Sequence, residues 1–255
     1  MDELEKIIEK YFQKETNGIV YYNLDQNVFD KVIKNIGKYE RPDILSIFDN
    51  KIVAIEHFEF DRFKNNKKGS DFKVQDFKIK KRFDEAMKEE LKQKESVIVH
   101  DKIEGESSAK NYFKNFIKVF QSHYQNIEDY LEHIQSDFDC SNEEIHICFF
   151  AEDVSPLGSN FTDAECNIHL LLPIYSDKVI ELLNNSPKVE YLIVGTYAMS
   201  EYKMVIIENK KEVLERFKAE HNNFNEEKFI NFNPVSTGFA FKVPKDGSEQ
   251  YNYKI

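Results

Sequence analysis

Residues 41–61 read Arg-Pro-Asp-Ile-Leu-Ser-Ile-Phe-Asp-Asn-Lys-Ile-Val-Ala-Ile-Glu-His-Phe-Glu-Phe-Asp. Two apolar runs, 44–48 and 51–60, flank Asp49-Asn50, a pair that tolerates the positive φ a two-residue β-hairpin needs. With that turn Phe48 faces Lys51, Ile47 faces Ile52, and counting outward sets Asp43 opposite Glu56. Residues directly opposed on one sheet face have Cβ atoms about 4.5–5.5 Å apart. Two carboxylates so close repel unless a cation or a shared proton lies between them. The hairpin is therefore a candidate site for a hard metal ion.

The basic residues begin where the hairpin ends. Nine Lys and Arg residues fall between Arg62 and Arg82, opposed by Asp71 and Asp76. A charge run of this kind is often only a solvated face; beside a carboxylate pair it is also a candidate phosphate-backbone contact. The chain as a whole carries a net charge of −11 over 255 residues, which argues against a general nucleic-acid coat protein. No apolar run reaches the length of about 18–20 residues that spans a bilayer. The acidic start, Met1-Asp-Glu-Leu-Glu, lacks the pattern of a secretory signal. Cys140, Cys148 and Cys166 have no paired metal-ligand spacing and read as buried or idle thiols in a reducing cytoplasm.

No repeat, low-complexity segment or Pro/Gly-rich linker divides the chain, so residues 1–255 read as a single domain. Helical spacing is expected over 2–13, 26–36, about 71–93, 109–135, 177–183 and 212–221. Strands are expected at 18–22, 44–48, 51–60, 96–100, 145–151, 168–172, 191–197, 203–207 and near 238–243. Mixed hairpins and helices predict an α/β protein with a central mixed sheet flanked by helices.

Helix, Pro42-Asp43 at a strand start, turn, an apolar strand interrupted by Glu56, then helix: this order resembles the PD-(D/E)XK nuclease superfamily. The resemblance covers mainly residues 1–100, leaving 101–255 as an elaborated C-terminal half. It implies a restriction-endonuclease-like core in which Asp43 and Glu56 bind Mg²⁺ or Mn²⁺. A bound Mg²⁺ lowers the pKa of a water and binds a phosphate oxygen, which is what phosphodiester hydrolysis requires. The implied partner is nucleic acid, DNA before RNA, with no membrane; a homodimer is compatible with it. The family's lysine, two residues after the Glu, is Phe58 here. Lys68, Lys73 or Lys80 would have to supply it, or else the fold has lost catalysis and serves as a protein-binding module. By the same resemblance Gln75 would order the site, and Glu5 or Glu9 would add an acidic ligand; a boundary glutamine and surface acids are the plainer readings.

Other polar residues near the hairpin have two readings each. His57, Glu59 and Asp61 alternate with Phe58 and Phe60 and share the face opposite Glu56. His57 is a candidate ligand or base, or simply a residue hydrogen-bonded to a neighbour. Glu152 and Asp153, ending an apolar strand before Pro156 and Gly158, form a functional-looking loop or ordinary wet strand-end acids. The seven histidines show no HxxxH or HxH spacing, and no P-loop or dinucleotide fingerprint is present.

Overall fold

A computed structural model of the chain describes residues 19–22, 31–32, 35–66, 69–75, 77–78, 81, 85, 96–141, 144–155, 158–198, 201–221 and 224–244. The expected first helix with Glu5 and Glu9, and the positions Lys68 and Lys80, lie outside the described residues. In chain order the strands up to the first long helix are β1 Ile19–Tyr22, β2 Ile36–Lys38, β3 Ile44–Phe48, β4 Lys51–Phe60, β5 Asn65–Asn66, β6 Gly69–Ser70 and β7 Ser96–Ser107. Helices α1 Ala109–Tyr124 and α2 Ile127–Asp137 follow, then β8 Ile145–Asp153, β9 Asn160–Thr162 and β10 Ile168–Leu170. The chain continues with α3 Asp177–Asn184, β11 Val189–Ala198, β12 Glu201–Glu208, α4 Lys211–Glu220 and β13 Phe232–Pro244.

The hairpin forms in the expected register. Asp49 and Asn50 take φ of 48° and 60°, and Phe48 pairs with Lys51 out to Ile44 with Ile55. It lies within a seven-stranded mixed sheet of order β1-β12-β11-β8-β4-β3-β2. At its centre β4, β8 and β11 run parallel; β12 is antiparallel to β11, and β2, β3 and β4 form an antiparallel meander. The protein is thus α/β, with a mixed central sheet flanked by helices. No helix among the described residues is long and apolar enough to cross a membrane.

Strand β4 is apolar on both faces because both are covered. Its even-numbered residues Ile52, Ala54, Phe58 and Phe60 join a core with α1 and α2 residues Phe116, Phe120, Ile127 and Ile134. Its odd-numbered residues Val53 and Ile55 pack with Val32, Cys148, Phe150 and Ile193 on the other side. Helix α1 starts at Ser108, whose side chain accepts from Asn111 N, the capping arrangement that satisfies an otherwise orphaned N–H.

Four elements depart from the sequence expectation. The expected helix 109–135 is two helices broken at Gln125-Asn126, where Asn126 N donates to His123 O. The apolar stripe continues in phase through Phe116, Phe120, Ile127 and Tyr130, so the periodicity hides the break. The strand expected at 96–100 runs on through Gly105, a position where a Cβ would meet the Phe63 ring at 2.6 Å. It pairs antiparallel with β13, longer than the expected 238–243. The helix expected over 26–36 also ends early, since Ile36 and Gly37 belong to β2.

Candidate functional site

Asp43 immediately precedes β3, one residue beyond the last ladder pair Ile44–Ile55, and lies close enough to Glu56 to feel its charge. Its Oδ2 accepts from the backbone N–H of His57 at 2.9 Å. Burial first, and then the charge of Glu56, raise the Asp43 carboxyl above its ordinary value; the His57 N–H acts the other way. Glu56, 8% exposed, points toward α1 and α2. There Tyr130 OH donates to its Oε1 at 2.7 Å, and His123 Nδ1 lies 2.7 Å from the same oxygen. Burial, this bond and the Glu56 charge push the Tyr130 hydroxyl well up. Asp43 Oδ1 and Glu56 Oε2 have no hydrogen-bond partner among the described residues.

Phe58 follows Glu56 on the same strand face and is 3% exposed. Its ring packs against Phe116, Phe120 and Phe149, and His123 stacks on it with centroids 5.0 Å apart. The place from which the superfamily's lysine would project is filled by aromatic core, and the imidazole of His123 sits over it.

The other sequence candidates lie elsewhere. Lys73 Nζ is 3.4 Å from Glu59 Oε2; Glu59 belongs to the odd-numbered face of β4, opposite Glu56. Gln75 Nε2 donates to the backbone oxygen of Asp71 at 3.2 Å. Three more of the described basic residues of 62–82 are buried or paired. Arg62 is 2% exposed, Lys64 pairs with Glu106 at 2.8 Å, and Lys81 lies 3.9 Å from Glu85.

No family model, curated protein or solved structure matches this chain. The geometry stands alone.

On the other sheet face His57 Nε2 lies 3.1 Å from Glu152 Oε2, with Tyr202 OH 3.5 Å from Glu152 Oε1. His57 thus has a carboxylate neighbour on its own face and gives Asp43 only its backbone. Asp153 is buried and accepts from Ser155 N, Ser159 Oγ and Thr196 Oγ1, which ties the loop after β8 to β11. Beside it the buried Arg62 guanidinium donates to Ser107 Oγ and Asn160 O and lies 3.8 Å over Phe161. Burial lowers it to about 10. These contacts join β4, β7, β8 and β9, so Arg62 and Asp153 act in the framework.

Among the described residues no group of three or more His, Cys, Asp or Glu side chains converges as a preformed metal cage. Mg²⁺ does not need one: it commonly binds through one or two carboxylates, waters and substrate phosphates. Asp43 and Glu56 fit that donor set, each with one oxygen free of described partners. His123 and Tyr130 were not legible as site residues, although His123 is a polar residue continuing the stripe of Phe116 and Phe120. That anomaly was the available signal.

Proposed function

We propose that the chain is a metal-dependent nuclease in which Asp43 and Glu56 hold Mg²⁺ or Mn²⁺. The observation that carries this reading is the pairing of two partly buried carboxylates across a register-locked hairpin, with no described lysine or arginine between them. Repulsion of this kind is retained where a cation relieves it. The element order is in keeping with a restriction-endonuclease-like core: meander β2-β3-β4, helix α1, then β8 parallel to β4. The metal, when bound, supplies a water of lowered pKa and neutralises charge on the phosphate. Asp43 and Glu56 orient it, His57 N–H fixes Asp43, and Tyr130 with His123 fixes Glu56.

A second reading has its own observation. Phe58 is sealed in the core and Lys73 is engaged by Glu59, which favours a nuclease-like fold that binds a protein partner without catalysis. Cleavage of plasmid DNA, single-stranded DNA and RNA with Mg²⁺ or Mn²⁺ separates the two. The nuclease reading expects metal-dependent cleavage that Asp43→Ala and Glu56→Ala abolish. Cleavage unchanged in both variants, or no cleavage and no metal-induced stabilisation of the parent, overturns it.

A further inference from the structure

We infer that the cavity between α3 and the end of α4 binds a small carboxylate carried on an apolar body, with the carboxylate seated at the N-terminus of α3. The site uses no residue of the carboxylate hairpin and does not rest on the nuclease reading. The cavity measures about 280 Å³ and is lined by residues 174–178 and 180 around the start of α3, and by Lys218, His221 and Phe224 at and beyond the end of α4. Ligand pockets commonly run from about 300 to 1,000 Å³, so this one suits a ligand of a single ring.

The polar end of the site follows from how α3 begins. Ser176 is its N-cap, with φ of −84° and ψ of 127°. A serine there ordinarily accepts from the N–H of the second or third helical residue. The Ser176 side chain makes no such bond. Its carbonyl instead accepts from Val179 and Ile180 at 2.9 and 3.1 Å, which leaves the N–H groups of Asp177 and Lys178 as the orphan donors of the helix start. Ser176 is 8% exposed, and its hydroxyl has no hydrogen-bond partner. A sealed hydroxyl in that state would carry a desolvation cost. This one is not among the side-chain atoms closed off from solvent, so it keeps contact with the cavity that Ser176 lines. A hydroxyl, two backbone N–H groups and the positive end of a helix therefore lie together, the donor set that an anion requires. Lys178 adds an ammonium with no ion-pair partner among the described residues.

The rest of the wall selects what the anion is attached to. The Tyr175 ring lies 4.5 Å from His221 and 5.8 Å from Phe224, and Ile174 beside it is fully buried. His221 is fixed by its Nδ1, which donates to Phe217 O at 2.9 Å. The apolar side is thus built before any ligand arrives. The lining also holds two acids, Asp177, paired with Lys218 at 2.9 Å, and Glu226. They offset Lys178 and Lys218, so with His221 neutral the wall carries no net charge. A singly charged group gains from the local donors in such a site, whereas inorganic phosphate brings a second charge and no apolar surface to bury.

The test uses the full chain with benzoate, its neutral isostere benzamide, and inorganic phosphate. Affinities come from saturation-transfer NMR titrations, and thermal melts accompany each variant. Benzoate is expected to bind at least about tenfold more tightly than benzamide, and phosphate at equal concentration not to displace it. Ser176→Ala is expected to melt with the parent and to weaken benzoate about tenfold, the scale of one hydrogen bond to a charged group. Lys178→Gln, at an exposed position, is expected to weaken it a few-fold with no change in melting. Equal binding of benzoate and benzamide, displacement of benzoate by phosphate, or no saturable benzoate signal up to about 20 mM overturns the inference. So does unchanged benzoate affinity in Ser176→Ala. A fall of about 2–4 °C in the melting temperature of that variant with affinity intact would show that the hydroxyl caps α3 and serves no ligand.

Discussion

Replacing Asp43 by Asn tests whether the carboxylate pair is strained by its own charge. At the usual spacing of opposed residues, about 5 Å, two such charges repel by about 3 kcal/mol at an effective dielectric of 20. Asp43 is only partly buried, and water on its open side brings the net effect to about 1–2 kcal/mol. Asn keeps an oxygen for the His57 N–H, so the bond that orients the side chain survives. The raised carboxyl makes the folded chain bind more protons than the unfolded chain above the ordinary value of 3.8. Stability of the parent therefore falls as pH rises through that window and stays reduced at neutrality. Asp43→Asn should melt with the parent near pH 3 and about 2–8 °C above it at pH 7 in EDTA, taking about 2–4 °C per kcal/mol for a chain of this size. Added Mg²⁺ reverses the order at hundredfold excess over Kd, where binding stabilises the parent by about 2.7 kcal/mol and the variant far less. Differential scanning fluorimetry at both pH values, with and without Mg²⁺, reads all four states. A variant that melts below the parent in EDTA at pH 7, or an equal Mg²⁺ shift in both, refutes the reasoning.

The remaining expectations concern the frame around the site. Phe58→Lys should not restore a nuclease lysine: it inserts an ammonium among Phe116, Phe120 and Phe149, at a cost of about 3 kcal/mol or more in urea unfolding. Arg62→Ala removes the bonds to Ser107 and Asn160 and leaves a cavity under Phe161. A loss of about 3–5 kcal/mol is expected from chemical denaturation. Gly158→Ala forces φ of +53° on a residue with a Cβ and drives that atom into the Tyr197 carbonyl, with an expected loss of at least about 2 kcal/mol in the same assay. The Asp163 carboxyl is held down at about 2, chiefly by its bond to His169. Its stabilisation is present above pH 3.8 and is lost as pH falls toward 2, so Asp163→Asn should flatten the acid limb of stability between those values.

What the sequence made legible follows from how local each signal is. The hairpin register needed only Asp49-Asn50 and the alternation on either side, and from it the pairing of Asp43 with Glu56 could be counted. The placement of His57, Glu59 and Asp61 opposite Glu56 came from the same period-two rule, and His57 and Glu59 find their partners in Glu152 and Lys73. The break between α1 and α2 was hidden because Ile127 and Tyr130 continue the stripe of Phe116 and Phe120 in phase. The meeting of His123 with Glu56 bridges 67 positions, and the β7–β13 ladder joins segments more than 100 positions apart. No local pattern encodes such contacts; they follow only once α1 is laid across β4.

Glu56 and Phe58 are neighbours on one strand face, and their needs conflict. The sheet face beneath α1 is built of Ala54, Phe58 and Phe60, and an apolar residue at 56 would extend that core without a desolvation cost. A buried carboxylate is instead tolerated because two donors reach its Oε1, and replacing such a buried charge by a well-packed apolar side chain is often neutral or stabilising. The donors come from opposite sides of the Gln125-Asn126 break: His123 at the end of α1, Tyr130 in the first turns of α2. A continuous helix would carry Tyr130 straight on along the α1 axis, so the break is what bends it back over Glu56. The strand thus carries its acid at a place where stability alone favours leucine or valine, and the helix pair is shaped to receive it. Asp43 adds a second charge facing the first, which packing would remove before any other. In the proposed nuclease a bound cation would turn this repulsion into attraction.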